Sequence, residues 1–87
     1  MSFKLNIITP EKKVFPEDDE EGLVDSVKCP GLDGLFGILS SHAPMVSALS
    51  DGNLTYVQNG EEVTVKISGG FLEVSNNVCS VMADSAE

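Results

Sequence analysis

Apolar and polar residues alternate along most of this chain with a period of two, the pattern of strands that cover one face. In FKLNII, Phe3, Leu5 and Ile7 fall on one side, Lys4 and Asn6 on the other. KKVF makes a second short strand, stopped by Pro16. GLVDSVKC is rich in β-branched residues and reads as a third, with an imperfect alternation that sets Asp25 on the side of Leu23 and Val27. NLTYVQ puts Leu54 and Tyr56 on one face. EEVTVKIS alternates most cleanly, with Val63, Val65 and Ile67 inward and Glu62, Thr64 and Lys66 outward. FLEVS and VCSVMA close the set.

Turn chemistry punctuates these runs. Thr9-Pro10-Glu11 ends the first, because proline cannot extend the ladder. Asn59-Gly60 is a two-residue hairpin signal, since both residues tolerate positive φ. Gly69-Gly70 permits a sharp bend, and Asn76-Asn77 marks another turn. About eight or nine short strands at near-regular spacing, with no helical period between them, predict an all-β protein. The expected architecture is a flattened β-sandwich or barrel, because two packed sheets cover every strand.

A length of 87 residues predicts a single domain, residues 1–87, with no linker or repeat. No apolar run is long enough to span a bilayer, and the N-terminus lacks the features of a signal peptide. The net charge of −9 repels phosphate backbones and argues against nucleic-acid binding. Much of it sits in one block, Glu17, Asp18, Asp19, Glu20 and Glu21, which reads as a solvated, self-repelling hairpin tip. That block lacks the ligand spacing and glycine of a calcium loop. Cys29 and Cys79 have no close Cys or His companion for zinc, and are expected to be reduced, semi-buried thiols.

The chemistry worth weighing lies in PGLDGLFGILSSHAPMVSAL, residues 30–49. Asp33, Ser40, Ser41 and His42 hold the groups of a nucleophilic triad, but no G-x-S-x-G elbow frames them, and no catalytic role is expected. Gly31, Gly34 and Gly37 suggest a phosphate loop, yet no lysine follows and no helix opens, so no cofactor site is expected. The glycines read instead as a tight loop that displays Leu32, Leu35 and Phe36, a sticky tip suited to a partner. His42-Ala43-Pro44 is extended, and Met45, Val46, Ala48 and Leu49 follow as an apolar run fit for a docking face.

Together these stretches carry a resemblance. FKLNIITPEKKVF, the PG..G..GIL..HAP segment, SGGF.EV and AD.AE occur in the order found in the epsilon subunits of rotary ATP synthases, and the match covers the N-terminal domain over nearly all the chain. The resemblance implies a flattened sandwich of two five-stranded sheets in the central stalk, a non-catalytic part of a proton-translocating enzyme. It implies a hetero-oligomeric assembly in which the domain binds the gamma subunit and rests on the c-ring, with no insertion into the membrane. By analogy, Leu32, Asp33, Gly34, Leu35 and Phe36 look like the tip that meets the c-ring. His42, Ala43, Pro44, Met45 and Val46 look like part of the gamma-facing surface. The implied location is peripheral, on the cytoplasmic face of the energy-transducing membrane or its stromal or matrix equivalent.

The chain departs from the family pattern in two places. Pro16 to Glu21 form an acidic extension to which no role transfers, and Ser40-Ser41 stand where Pro or Gly is usual. The helical hairpin that follows AD.AE in longer members is not among these 87 residues, so its inhibitory latch and nucleotide site are not expected here. A competing reading makes the chain a free-standing acidic module, or a decoy for a basic protein, with residues 17–21 as bait. A sugar-binding sandwich is a third, disfavoured by the absence of Trp and the single Tyr.

Overall fold

The computed structural model describes residues 1–17 and 21–87. Among these there is no helix, and ten strands form one continuous mixed sheet that folds over into two layers. The strands are β1 (Phe3–Ile8), β2 (Lys13–Phe15), β3 (Leu23–Val24), β4 (Ser26–Gly31), β5 (Gly34–Leu39), β6 (Met45–Leu49), β7 (Gly52–Gln58), β8 (Glu61–Ile67), β9 (Gly70–Ser75) and β10 (Val78–Ala83).

The first layer runs from β2 and β3 through β1, β10 and β9 to β6; the second runs from β5 through β4 and β7 to β8. They are joined at one residue pair, Gly31 opposite Leu49. β1 and β10 are parallel, whereas the other neighbours are antiparallel. The flattened sandwich expected from the alternation is thus the observed architecture.

The inward residues make one core. Leu5 and Ile7 of β1, Val27 and Cys29 of β4, Leu54 of β7, Leu72 of β9 and Val81 of β10 are fully buried. Each large aliphatic side chain so covered contributes about 1.5–3 kcal/mol. Phe15 and Tyr56 pack across the layers in a tilted pair with ring centroids 4.5 Å apart, tying β2 to β7.

The turn residues act as their types require. Asn59 and Gly60 take φ of 53° and 81°, and Asn76 and Asn77 take 51° and 62°. Gly70, at φ 121°, is needed for a second reason: a Cβ there would strike the Met82 carbonyl oxygen and lie 2.8 Å from the Ala83 Cα. Its bare backbone lets β9 lie flat between Leu49 and Ala83, its partners in the ladder.

Three expectations need correction. GLVDSVKC is two strands, not one. Val24 and Val27 are both buried although three residues apart, so the inward parity changes at Asp25. There the chain leaves β1 in the first layer for β5 and β7 in the second. The glycine-rich PGLDGLFG is not a loop: only Leu32 and Asp33 form the turn, and Gly34 to Leu39 run on as β5. Of its three glycines only Gly34 has a positive φ, 123°. Val63 shares the parity of Val65 but is exposed, because it lies toward the outer end of β8. In the acidic block, Asp18, Asp19 and Glu20 lie outside the described residues.

Candidate docking site

β5 separates the two segments singled out in the sequence. The Leu32-Asp33 turn caps one end of it and residues 40–44 leave from the other. Six extended residues span roughly 20 Å. Asp33 therefore stands far from His42, Ser40 and Ser41, and no triad assembles. His42 instead donates from Nδ1 to its neighbour's carbonyl, Ala43 O, at 2.7 Å.

The 40–44 segment is built on side chains from other elements. Ser41 adopts φ 65°, and its N–H donates to Asn77 Oδ1 at 2.8 Å. Asn77 Nδ2 donates in turn to Ser2 O at 3.1 Å. The β9–β10 turn thus holds Ser41 in its left-handed conformation. Ala43 and Pro44 are exposed and His42 is half-buried. Met45 points inward, opposite Val74, and packs against the core. Val46, its neighbour, points outward and is 72% exposed. Within this segment, then, Val46 is the exposed apolar side chain and Met45 lies beneath it.

At the other end, Leu32 and Leu35 are 68% and 77% exposed, with Asp33 between them also exposed. Phe36 turns inward, half-buried against the core and over Gly31, where a Cβ would come within 2.8 Å of its ring. Two open grooves flank the tip. One, of about 290 Å³, lies between residues 31–36 and Ser47-Ala48 of β6. The other, of about 450 Å³, runs beside Pro30, Leu35, Asp51 and Asn53.

Sequence reasoning missed one feature. On the outer face of the first layer, Ala48, Phe71, Met82 and Ile8 stand directly opposite one another across β6, β9, β10 and β1. Phe71, Met82 and Ile8 are exposed and Ala48 is half-buried. The tip adjoins the β6 end of this row, where Leu32 N–H donates to Ala48 O. Val46 borders it on β6. An apolar row thus crosses four strands and has the Leu32-Asp33 turn beside its β6 end. The signal was present in the alternation: Ile8, Phe71 and Met82 are apolar residues on the outward parity of their strands.

The interior offers no reactive centre. Cys29 and Cys79 are free and fully buried. Burial pushes both thiols up to about 12, Cys29 with a further push from Cys79. Among the described residues no cluster of His, Cys, Asp and Glu could hold a metal ion. No described helix is long and apolar enough to cross a membrane.

Comparison with known proteins gives a consistent result. The family described as the beta-sandwich domain of the ATP synthase delta/epsilon chain matches residues 2–87. The ATP synthase epsilon chain of Desulforamulus reducens is 49% identical over 84 residues, covering 97% of this chain and 60% of that relative. The epsilon chain of Anaeromyxobacter sp. (strain K) is 44% identical over 87 residues, covering 100% and 62%. The chain thus spans about three-fifths of the length of these curated relatives. Among solved structures, a chain of the Euglena gracilis mitochondrial ATP synthase superposes with TM-score 0.89 at 22% identity, over 99% of this chain and 52% of that one. A chain of the Tetrahymena thermophila mitochondrial ATP synthase central stalk and c-ring superposes with TM-score 0.77 at 15% identity, over 97% and 64%. These two likenesses show the shared fold.

Proposed function

The chain belongs to the ATP synthase delta/epsilon family as its N-terminal β-sandwich domain, and from that premise we propose that it is a non-catalytic rotor part of the central stalk, coupling proton-driven rotation to ATP synthesis. In this reading residues 1–87 act as one rigid body between the gamma subunit and the c-ring. The gamma-facing surface is the outer face of the first layer, from His42–Val46 along β6 to Phe71, Met82 and Ile8. The tip at Leu32, Asp33, Gly34, Leu35 and Phe36 meets the c-ring.

What carries this is the apolar row that crosses four strands beside the tip. Apolar area of that extent, on a chain of net charge −9, suits a lasting protein contact better than a solvated surface. A close-packed two-layer core resists deformation and so transmits torque from one contact to the other. The protein would then sit at the membrane surface, on the cytoplasmic or matrix-equivalent side, without entering the bilayer.

The test is reconstitution. An ATP synthase depleted of its epsilon chain is supplied with this chain in vesicles, and gamma capture and ATP-driven proton pumping are measured together. Capture by gamma, lost in a Val46→Asp and Phe71→Lys double variant that remains folded, is the expected result. Failure of the unaltered chain to bind gamma rejects the assignment. Deleting residues 17–21 is expected to leave gamma binding intact, whereas a decoy that uses those residues as bait loses its partner.

A further inference from the structure

We propose that the free edge of β5 is a strand-addition site, at which an extended, lysine- or arginine-bearing segment of another polypeptide pairs with Leu35, Gly37 and Leu39 and widens the second layer. This goes beyond the stalk assignment and does not rest on it.

The register fixes which groups are available. In an antiparallel pair, hydrogen-bonded and non-hydrogen-bonded partners alternate. Pro30 has no N–H, so Pro30 opposite Leu35 is a non-hydrogen-bonded pair. Consistently, the Pro30 carbonyl faces the other way and accepts from Ser50 N–H at 2.8 Å. By alternation Lys28–Gly37 and Ser26–Leu39 are of the same kind. The N–H and C=O groups of Leu35, Gly37 and Leu39 therefore point away from β4, and among the described residues no second strand pairs with β5.

Two of the other edges are guarded. β2 is three residues long, begins with Lys13 and is followed by Pro16. The C-terminal end of β8 is covered by residues 85–87: Lys66 N–H donates to Glu87 O at 3.1 Å, Glu87 N–H to Lys66 O at 2.9 Å, and Ser68 N–H to Ser85 O at 3.0 Å, and its other end begins with Glu61 and Glu62. The chain thus covers one edge with a short extended segment of its own. β5, by contrast, has six residues and carries no charge, proline or bulge, the usual defences of an edge. Leu35 and Leu39, 77% and 65% exposed, flank the bare Gly37 on the outer face. A Cβ at Gly37 would meet only the Val27 carbonyl oxygen, at 3.8 Å, so side chains of an added strand have room there. Backbone pairing supplies the affinity of such an addition, and the two leucines select apolar residues at alternate positions. The charge selects the rest: Lys28 lies opposite Gly37, but the exposed Asp33 and Asp25 stand at the two ends of the hairpin in a chain of net charge −9, which favours a cationic segment and opposes a second copy of the same chain.

The probe is a capped heptapeptide that alternates valine with lysine or threonine, added to the full chain while amide exchange and amide chemical shifts are read by NMR. In the free chain, the amides of Leu35, Gly37 and Leu39 are expected to exchange freely and those of Phe36 and Ile38 slowly. The peptide is expected to slow the first set by about tenfold or more, leaving β9 unchanged. Gly37→Pro removes an outward N–H where an edge tolerates proline, and should abolish the effect with little change in melting temperature. Leu39→Lys, a variant that keeps the backbone, should weaken it. The proposal is overturned if the three amides are already protected, if the peptide has no effect, or if Gly37→Pro binds it unchanged. It is equally overturned if a glutamate version of the peptide binds as well, or if sedimentation shows self-association that Gly37→Pro removes. Gamma capture by Gly37→Pro, measured separately, keeps the outcome distinct from the stalk assignment.

Discussion

The two outer faces of this sandwich are built by the same strand physics and look different. On the first layer the row Ala48, Phe71, Met82 and Ile8 is apolar from strand to strand. On the second, the row Gly37, Lys28, Thr55 and Thr64 is small or polar, and the two threonine hydroxyls bond each other at 3.1 Å. Both layers contribute inward residues to one core, so the inward parity reports folding and little else. The outward parity is free of that demand. Where it stays apolar across several strands, something besides stability has to account for it.

The comparison breaks most completely if the platform under the apolar row is disturbed. Gly70→Ala puts a Cβ onto the Met82 carbonyl in a left-handed backbone conformation, and should cost about 3 kcal/mol or more in a denaturant melt. A melt within error of the parent would mean that β9 and β10 are further apart than described. Next comes the direct contrast. Phe71→Lys should weaken gamma binding by about 2–3 kcal/mol with a near-normal melt, whereas Thr55→Lys on the opposite face should change neither. Equal losses from both would erase the distinction between the faces.

A smaller effect probes the shared interior. Cys29 and Cys79 rise from an ordinary value of 9.0 to about 12 in the folded chain. Above pH 9 the unfolded chain gives up thiol protons that the folded chain keeps, so stability falls as pH rises toward 12. Each thiol should contribute a slope of up to about 1.4 kcal/mol per pH unit in that window, and none below it. Unfolding free energies at pH 8 and pH 10, with a Cys79→Ala variant that removes one share of the slope, check this. The smallest effect concerns the turn that follows Ile8. Thr9 Oγ1 accepts from Lys12 N–H at 3.2 Å and donates to Lys12 O at 3.1 Å, so Thr9→Ala should cost about 1 kcal/mol by thermal melt.

Most strands were legible because alternation and turn chemistry are local. FKLNII, EEVTVKIS, Asn59-Gly60 and Asn76-Asn77 declare themselves within a few residues. What was hidden depends on partners distant in sequence. The parity change at Asp25 makes sense only once β3 and β4 belong to different layers. β5 was masked by its glycines, which read as a loop until β4 supplies the ladder. Met45 reads as a docking residue from its place in an apolar run, yet its register with Val74 turns it inward and leaves Val46 outside. The apolar row is a property of four strands side by side, and no single stretch contains it.

The parallel pairing of β1 with β10 sets the order in which this protein can be made. Residues 3–8 leave the ribosome well before residues 78–83, the strand that lies alongside them. Until then Leu5 and Ile7 lack the neighbours Cys79 and Val81 that their register assigns them. Contacts between such distant parts of a chain form slowly. Until residues 78–83 follow, β1 waits without its partner, which gives a nascent-chain chaperone a defined interval in which to act.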